Sequence, residues 1–243
     1  MRFLAVVSYD GTNYFGWQIQ PNLVTIQEEI EKAISKILNT PTKIYGSGRT
    51  DTGVHAYNQT FHFDSDKIVD IDKFRYSLNS VLPKDIYVKS ITKVDDDFHA
   101  RFDVKEKEYM YLLNNSGTYD VFNRRYINQF PQHLDKDLIK EGALLFIGKH
   151  DFKNFTTKEE DQDNFIRTIN DINVIYENGQ YIFIFKGDGF MRYMVRMIVG
   201  TLIELGLHKI DLDFIRNKLN DSKRDPVSFR AASYGLYLSR VKY

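Results

Sequence analysis

Between Tyr45 and Tyr57 the chain reads YGSGRTDTGVHAY, and here its residue types could do chemistry. Gly46, Gly48 and Gly53 permit positive φ or the close approach of a ligand, both of which a side chain obstructs. Arg49 and Asp51 stand two residues apart, and on an extended segment that spacing sends both side chains to the same side. A guanidinium beside a carboxylate favours its charged form and keeps it available as a nucleophile or base near neutral pH. Asp51 is thus the candidate reactive group. The same residue types also build turns, in which Asp and Thr bond back to their own backbone and a nearby Arg forms a structural ion pair. On spacing alone that turn stands ahead of an active site. The GSG triplet is too short for a dinucleotide or P-loop fingerprint, which needs G-x-G-x-x-G or G-x-x-x-x-G-K-[ST].

The composition narrows what such a group can work with. A chain of 243 residues holds one large or two modest domains, and its 33 basic residues balance 33 acidic ones. Zero net charge argues against a strongly basic nucleic-acid coat, although local basic groups can still bind a polyanion. With no cysteine, disulfides, thiolate catalysis and cysteine-ligated zinc are excluded. His55 and His62 lack a third metal ligand in register and read as core or surface histidines, so no metal and no cofactor is expected. No apolar run approaches membrane-spanning length and the N-terminus MRFLAVVSYDG has no cleavage site, which makes the cytoplasm the default compartment. Most of the 16 Tyr and 18 Phe suit a β-rich core, with base stacking as the minor use.

The elements that must position Asp51 follow from periodicity. Arg2 to Ser8 predicts a strand buried on both faces, and Thr25 to Leu38 a helix with a Thr25/Glu28 capping box, an apolar face through Ile26, Ile30, Ala33, Ile34 and Ile37, and a stop at Asn39 and Pro41. Gln59 to Asp64 alternates as a strand, Ile71 to Leu82 is a helix stopped by Pro83, and Ile86 to Val94 and Lys107 to Leu113 are strands. In the second half, Leu134 to Phe146 has helical spacing, Gly148 to Phe152 reads as a loop, and Thr157 to Asn164 as a flexible acidic surface loop. Asn178-Gly179 joins Phe165 to Tyr176 and Gln180 to Lys186 as a hairpin. Gly187 to Gly206 predicts a buried helix, apolar nearly all round, with Arg192, Arg196 and Gly200 in line; a buried guanidinium there needs a carboxylate or phosphate partner. Leu212 to Leu219 is a short helix and Gly235 to Val241 a final strand.

Several separated segments together resemble one family, the tRNA pseudouridine synthases of the TruA type. They are Tyr9-Asp10-Gly11-Thr12 with Gly16-Trp17-Gln18 and Gln20-Pro21; Gly48 to Ala56; Phe98-His99-Ala100-Arg101-Phe102 with Tyr109 and Tyr111; His150-Asp151-Phe152; Met194-Val195-Arg196 with Ile198-Val199-Gly200; and Gly235-Leu236-Tyr237-Leu238. The resemblance runs from end to end, and its G-R-T-D-x-G-V-H-A block is the most specific part. It implies that Asp51 is the catalytic nucleophile for isomerising uridine to pseudouridine in the anticodon stem-loop of tRNA, at positions 38, 39 and 40. It further implies that Arg49 intrudes into the RNA, that Tyr109 lies against the target base, and that Arg196 pairs with the aspartate. The chain departs from the family at Ala231-Ala232-Ser233-Tyr234-Gly235, where a proline is usual, and at Lys105-Glu106-Lys107-Glu108, where relatives carry more arginine.

The fold expected from pattern and resemblance is α/β (α+β). Two similar halves, 1–104 with the Asp51 loop and 105–243 with Tyr109 and Arg196, each form an antiparallel sheet with helices on one face and join into one continuous mixed sheet around a central cleft. The resemblance also implies a homodimer with tRNA reaching across both subunits, so that Arg101, Arg124, Arg125 and Arg192 can be pooled into one positive surface. Two rivals stand beside an isomerase: a noncatalytic RNA-binding protein of the same fold, and a hydrolase using Asp51 as general base.

Overall fold

Strand alternation sets the first element. In the computed structural model, Arg2–Tyr9 forms β1, with Phe3, Ala5, Val7 and Tyr9 buried and the residues between them only partly covered. The strand therefore commits one face to the core rather than both, because the covering helices lie against a single side. The structure describes residues 1–157 and 164–243. The expected acidic loop, Thr157 to Asn164, lies outside the described residues except at its ends. The chain divides into two compact units, Met1–Lys105 with Tyr237–Tyr243, and Glu106–Leu236.

In the first unit β1 is followed by α1 (Ile26–Leu38), β2 (Tyr45–Gly46), β3 (His55–Asp64), α2 (Ile71–Val81) and β4 (Ile86–Val94). Thr25 caps α1 by accepting from the Glu28 N–H, but Glu28 turns its carboxylate to Lys32 at 2.9 Å, so only half of the expected capping box forms. Asn39 ends the helix in the left-handed region at φ 48°. Leu38 rather than Ile37 completes the buried face. β1 runs antiparallel between β3 and β4, and Tyr237 and Leu238 of the final strand, Leu236–Lys242, pair parallel with His55 and Ala56 of β3. That pairing gathers the last seven residues into this unit. Phe63 stacks on Phe3 and meets Phe61 and Phe74 at a tilt, tying α2 to the sheet.

The second unit holds β5 (Glu106–Asn114), β6 (Asn128–Gln129), α3 (Lys136–Leu144), β7 (Gly148–Asp151), β8 (Ile166–Glu177), β9 (Gln180–Gly187), α4 (Met194–Gly206) and α5 (Leu212–Asn220). Its main strands are antiparallel in the order β5, β9, β8, β7, with β6 added parallel to β5. Both units mix helices with a largely antiparallel sheet, in keeping with the α+β expectation. Asn178 at φ 51° and Gly179 at φ 76° make the hairpin turn between β8 and β9. Gly148–Asp151 is a strand rather than a loop: it pairs with Ile166 to Ile169 as β7, and four mostly polar residues carry no alternation that could reveal it.

α4 begins at Met194, seven residues after the expected start, because Gly187 still belongs to β9 and Tyr193 adopts a left-handed φ of 61° that interrupts helical geometry. Arg192 consequently precedes the helix and is not in line with Arg196 and Gly200. The helix is buried nearly all round, as its composition requires. Gly142 and Gly206 let α3 and α4 pack closely, since a Cβ at either would meet Leu205 or Ile139 within 3 Å.

Candidate active site

The Asp51 loop is built by its neighbours in the first unit. Gly16, at φ 85°, lies so close to the loop that a Cβ there would stand 2.5 Å from the Thr50 carbonyl oxygen and 3.1 Å from the Asp51 carbonyl carbon. The Trp17 N–H donates to that same Thr50 oxygen, the Gly53 N–H donates to Tyr14, and the Val54 N–H donates to the Asp51 carbonyl. The Thr50 hydroxyl shares a 2.8 Å hydrogen bond with the buried Tyr9 phenol, whose pKa is pushed well up by burial. On the other flank the buried Gln59 amide accepts from the Ser47 hydroxyl at 2.6 Å and donates to the Gly48 carbonyl at 3.0 Å. Backbone on both sides of Asp51 is thereby fixed, while the residue itself is half-buried.

Arg49 is exposed, and its Nε donates to the Gln18 side-chain oxygen at 3.1 Å. Bends at Ser47 and Gly48 and a turn at Thr52 and Gly53 flank the segment that carries Arg49 and Asp51. The two histidines are core residues with one shared design. The Gly11 N–H donates to Nδ1 of His55 and the Ala100 N–H donates to Nδ1 of His62, each at 3.0 Å, and both rings are 2 % exposed. Burial, reinforced by the Arg2 charge, pushes His62 down to about 4. Among the described residues no group of three or more His, Asp and Glu side chains is placed to hold a metal ion. Trp17 belongs to the core between Tyr9 and Phe61.

Tyr109 and Arg196 lie in the second unit. Tyr109 faces inward from β5, opposite Phe185, with its ring edge-on to Phe190 at 5.2 Å. Two residues on, the buried Tyr111 donates its hydroxyl to the Ala232 carbonyl at 3.0 Å, and burial pushes its phenol far above the ordinary range. Arg196, on the first turn of α4, donates Nε to the Ala231 carbonyl at 2.8 Å and accepts the Ala231 N–H at its own carbonyl at 2.9 Å. A backbone carbonyl is thus one partner of a guanidinium for which only a carboxylate or phosphate had been expected. These bonds, with Tyr234 reaching Asn128 at 3.4 Å, define the path of the proline-free loop from Ala231 to Gly235. Tyr9, Gln18 and Ala231 support the candidate residues or their loop from 31 or more residues away along the chain, and of these Tyr9 and Gln18 stood within recognisable motifs.

A family model described as tRNA pseudouridine synthase matches residues 5–103 and 143–243. Among curated relatives, tRNA pseudouridine synthase A 1 of Bacillus cereus strain ATCC 14579 is 41% identical over 243 residues, covering 100% of this chain and 98% of its own. tRNA pseudouridine synthase A of Listeria monocytogenes serotype 4b is 40% identical over 245 residues, with 100% and 99% covered. The Brevibacillus brevis protein of the same name is 38% identical over 242 residues, again with 100% and 99% covered. The chain belongs to the tRNA pseudouridine synthase family, isomerases that convert uridine to pseudouridine.

Proposed function

We propose that this chain isomerises uridine in the anticodon stem-loop of tRNA, with Asp51 as the nucleophile. The observation that carries this reading is the Asp51 loop: its backbone is fixed on both flanks by Gly16, Trp17, Tyr14 and Gln59, and the carboxylate-bearing residue stays half-exposed between them. A reactive group gains most when its approach geometry is set before the substrate arrives. The reaction breaks the N1–C1′ bond, turns the uracil, joins C5 to C1′, releases the C5 proton and leaves N1 to take up a proton, with no redox step. The target base must leave its stack to be reached. Arg49, Tyr109 and Arg196 are assigned the roles that the family resemblance implies: intrusion into the RNA, contact with the target base, and charge partner of the carboxylate. An exposed Arg49, whose Nε is held by an amide, suits a side chain that must leave its place for RNA.

The test supplies tRNA tritiated at uridine C5 and counts label released to water. Release by the parent protein that disappears in Asp51→Asn, with the melting temperature unchanged, is the expected result. RNA binding without release from the parent would favour a noncatalytic RNA-binding protein, and free uracil a hydrolase. Mapping pseudouridine in the product checks the position, and modification outside the anticodon stem-loop would refute that part. A homodimer acting in the cytoplasm belongs to the same reading, and a monomer by light scattering with full activity would remove the dimer.

A further inference from the structure

Three guanidinium groups meet around one ring in the second unit. The Arg230, Arg192 and Arg196 carbons lie 4.5, 4.9 and 5.3 Å from the centroid of Tyr193. No two of them can therefore stand more than about 10 Å apart, the distance over which roughly 0.1 M salt screens one charge from another. Arg192 and Arg230 are exposed, and among the described residues neither forms an ion pair with a carboxylate. Like charges at this range repel, and the face of the Tyr193 ring attracts the exposed pair, Arg192 and Arg230, in the opposite sense.

The gathering is built into the backbone. The Thr156 hydroxyl donates to the Arg192 carbonyl at 2.9 Å. Arg230 is brought over by the two hydrogen bonds between Arg196 and Ala231 and by Gly200, where a Cβ would stand 2.8 Å from the Arg230 nitrogen, so only glycine lets residues 229–231 cross α4 this closely. Tyr193, the hub, keeps a left-handed φ of 61° without being glycine or asparagine, a conformation that persists only where the surroundings impose it. Its hydroxyl accepts from Arg192 Nη2 at 3.1 Å, which leaves its own O–H to donate.

We propose that Arg192 and Arg230, set around Tyr193, form a binding site for phosphate oxygens of the RNA backbone. Guanidinium forks match phosphate oxygens with paired N–H donors, and a cation stacked on a ring is already held in place when the anion arrives. The site rests on the RNA-modifying reading above and adds to it the groups that take the backbone charge on this unit. It also explains how a chain of zero net charge binds a polyanion: through a few cations concentrated in one place.

The test measures tRNA affinity by fluorescence anisotropy from about 50 to about 300 mM KCl for the parent, for Arg192→Gln with Arg230→Gln, and for the corresponding pair of lysine substitutions. Each phosphate contact contributes about 0.7 to 0.9 to the slope of log affinity against log salt. The glutamine pair should flatten the slope by roughly 1.4 to 1.8, and the lysine pair, which keeps both charges, should restore most of it. Under saturating tRNA the tritium-release rate should hold while the half-saturating concentration rises. An unchanged slope in the glutamine pair, or lysines that fail to restore it, would make these arginines structural and overturn the site. If the pair misfolds by circular dichroism, exposed Arg230→Gln alone decides, with an expected flattening of about one. The slope is read on binding alone, so a parent that shows it but releases no tritium would refute the isomerase and keep the site.

Discussion

Gly16→Ala tests whether the packing around Asp51 sets its chemistry, and Gly117→Ala supplies the control. Both glycines have left-handed φ, 85° and 78°, so alanine at either carries the same backbone strain, about 1 to 2 kcal/mol. At Gly117 a Cβ would have nothing within 4 Å. At Gly16 it would press on the Thr50 carbonyl oxygen at 2.5 Å, against an ordinary contact that begins at 3.4 Å, so the loop must retreat by about 0.9 Å. A displacement of about 1 Å at a reacting group can cost about 10²-fold, equivalent to about 2.7 kcal/mol in the barrier. Both variants should therefore lose a few degrees of melting temperature. Gly16→Ala alone should lose about two orders of magnitude in single-turnover tritium release. The assay is that release at saturating tRNA, with the melting curves read beside it. Equal activity in the two variants would refute the reasoning, since only the clash at Thr50 and Asp51 separates them.

In Gly200→Ala the added Cβ would meet Arg230 and Phe229 backbone at 2.8 Å, so residues 229–231 must lift from α4 and strain the hydrogen bonds between Arg196 and Ala231. We expect a loss of about 1 to 3 kcal/mol in denaturant unfolding together with reduced activity, and an unchanged midpoint would contradict the close crossing. His62 makes acid stability predictable in sign. Its folded pKa of about 4 lies below the ordinary value of about 6.5, so the unfolded chain takes up the proton first. Its contribution is complete above about pH 6.5 and is lost as pH falls toward about 4. His62→Gln, which keeps an acceptor for the Ala100 N–H but cannot titrate, should flatten the melting-temperature profile across that window. A profile as steep as the parent's would show that other groups carry the acid loss.

Residue types singled out the Asp51 block but could not separate a reactive carboxylate from a structural turn; the reactive reading came from the end-to-end resemblance to a family. Long, strongly patterned elements were legible: α1, α2, β4 and the Asn178-Gly179 hairpin fall close to where their periodicity or turn chemistry places them. What escaped was set by partners distant in the chain. Nothing near Arg49 says that Gln18, 31 residues away, will take its Nε. Nothing near Arg196 says that Ala231 will cross it at Gly200. The start of α4 was missed for a local reason: at Asn39 and Asn178 the left-handed turn is taken by a residue that tolerates it, whereas at Tyr193 it is imposed on a side chain that gives no such signal.

The glycines mark the boundary most sharply. Gly16 and Gly117 carry the same message in sequence and nearly the same φ, yet one faces the Thr50–Asp51 backbone and the other open space. Conformational permission is written in the residue, while the use made of it is written only in what packs against it. A glycine bears on how a neighbouring carboxylate is held when backbone beside that carboxylate fills the space a Cβ would take, wherever the glycine stands in the chain. By that criterion Gly16, outside the G-R-T-D block, says more about Asp51 than Gly53 within it, whose left-handed φ of 74° is accounted for by the turn.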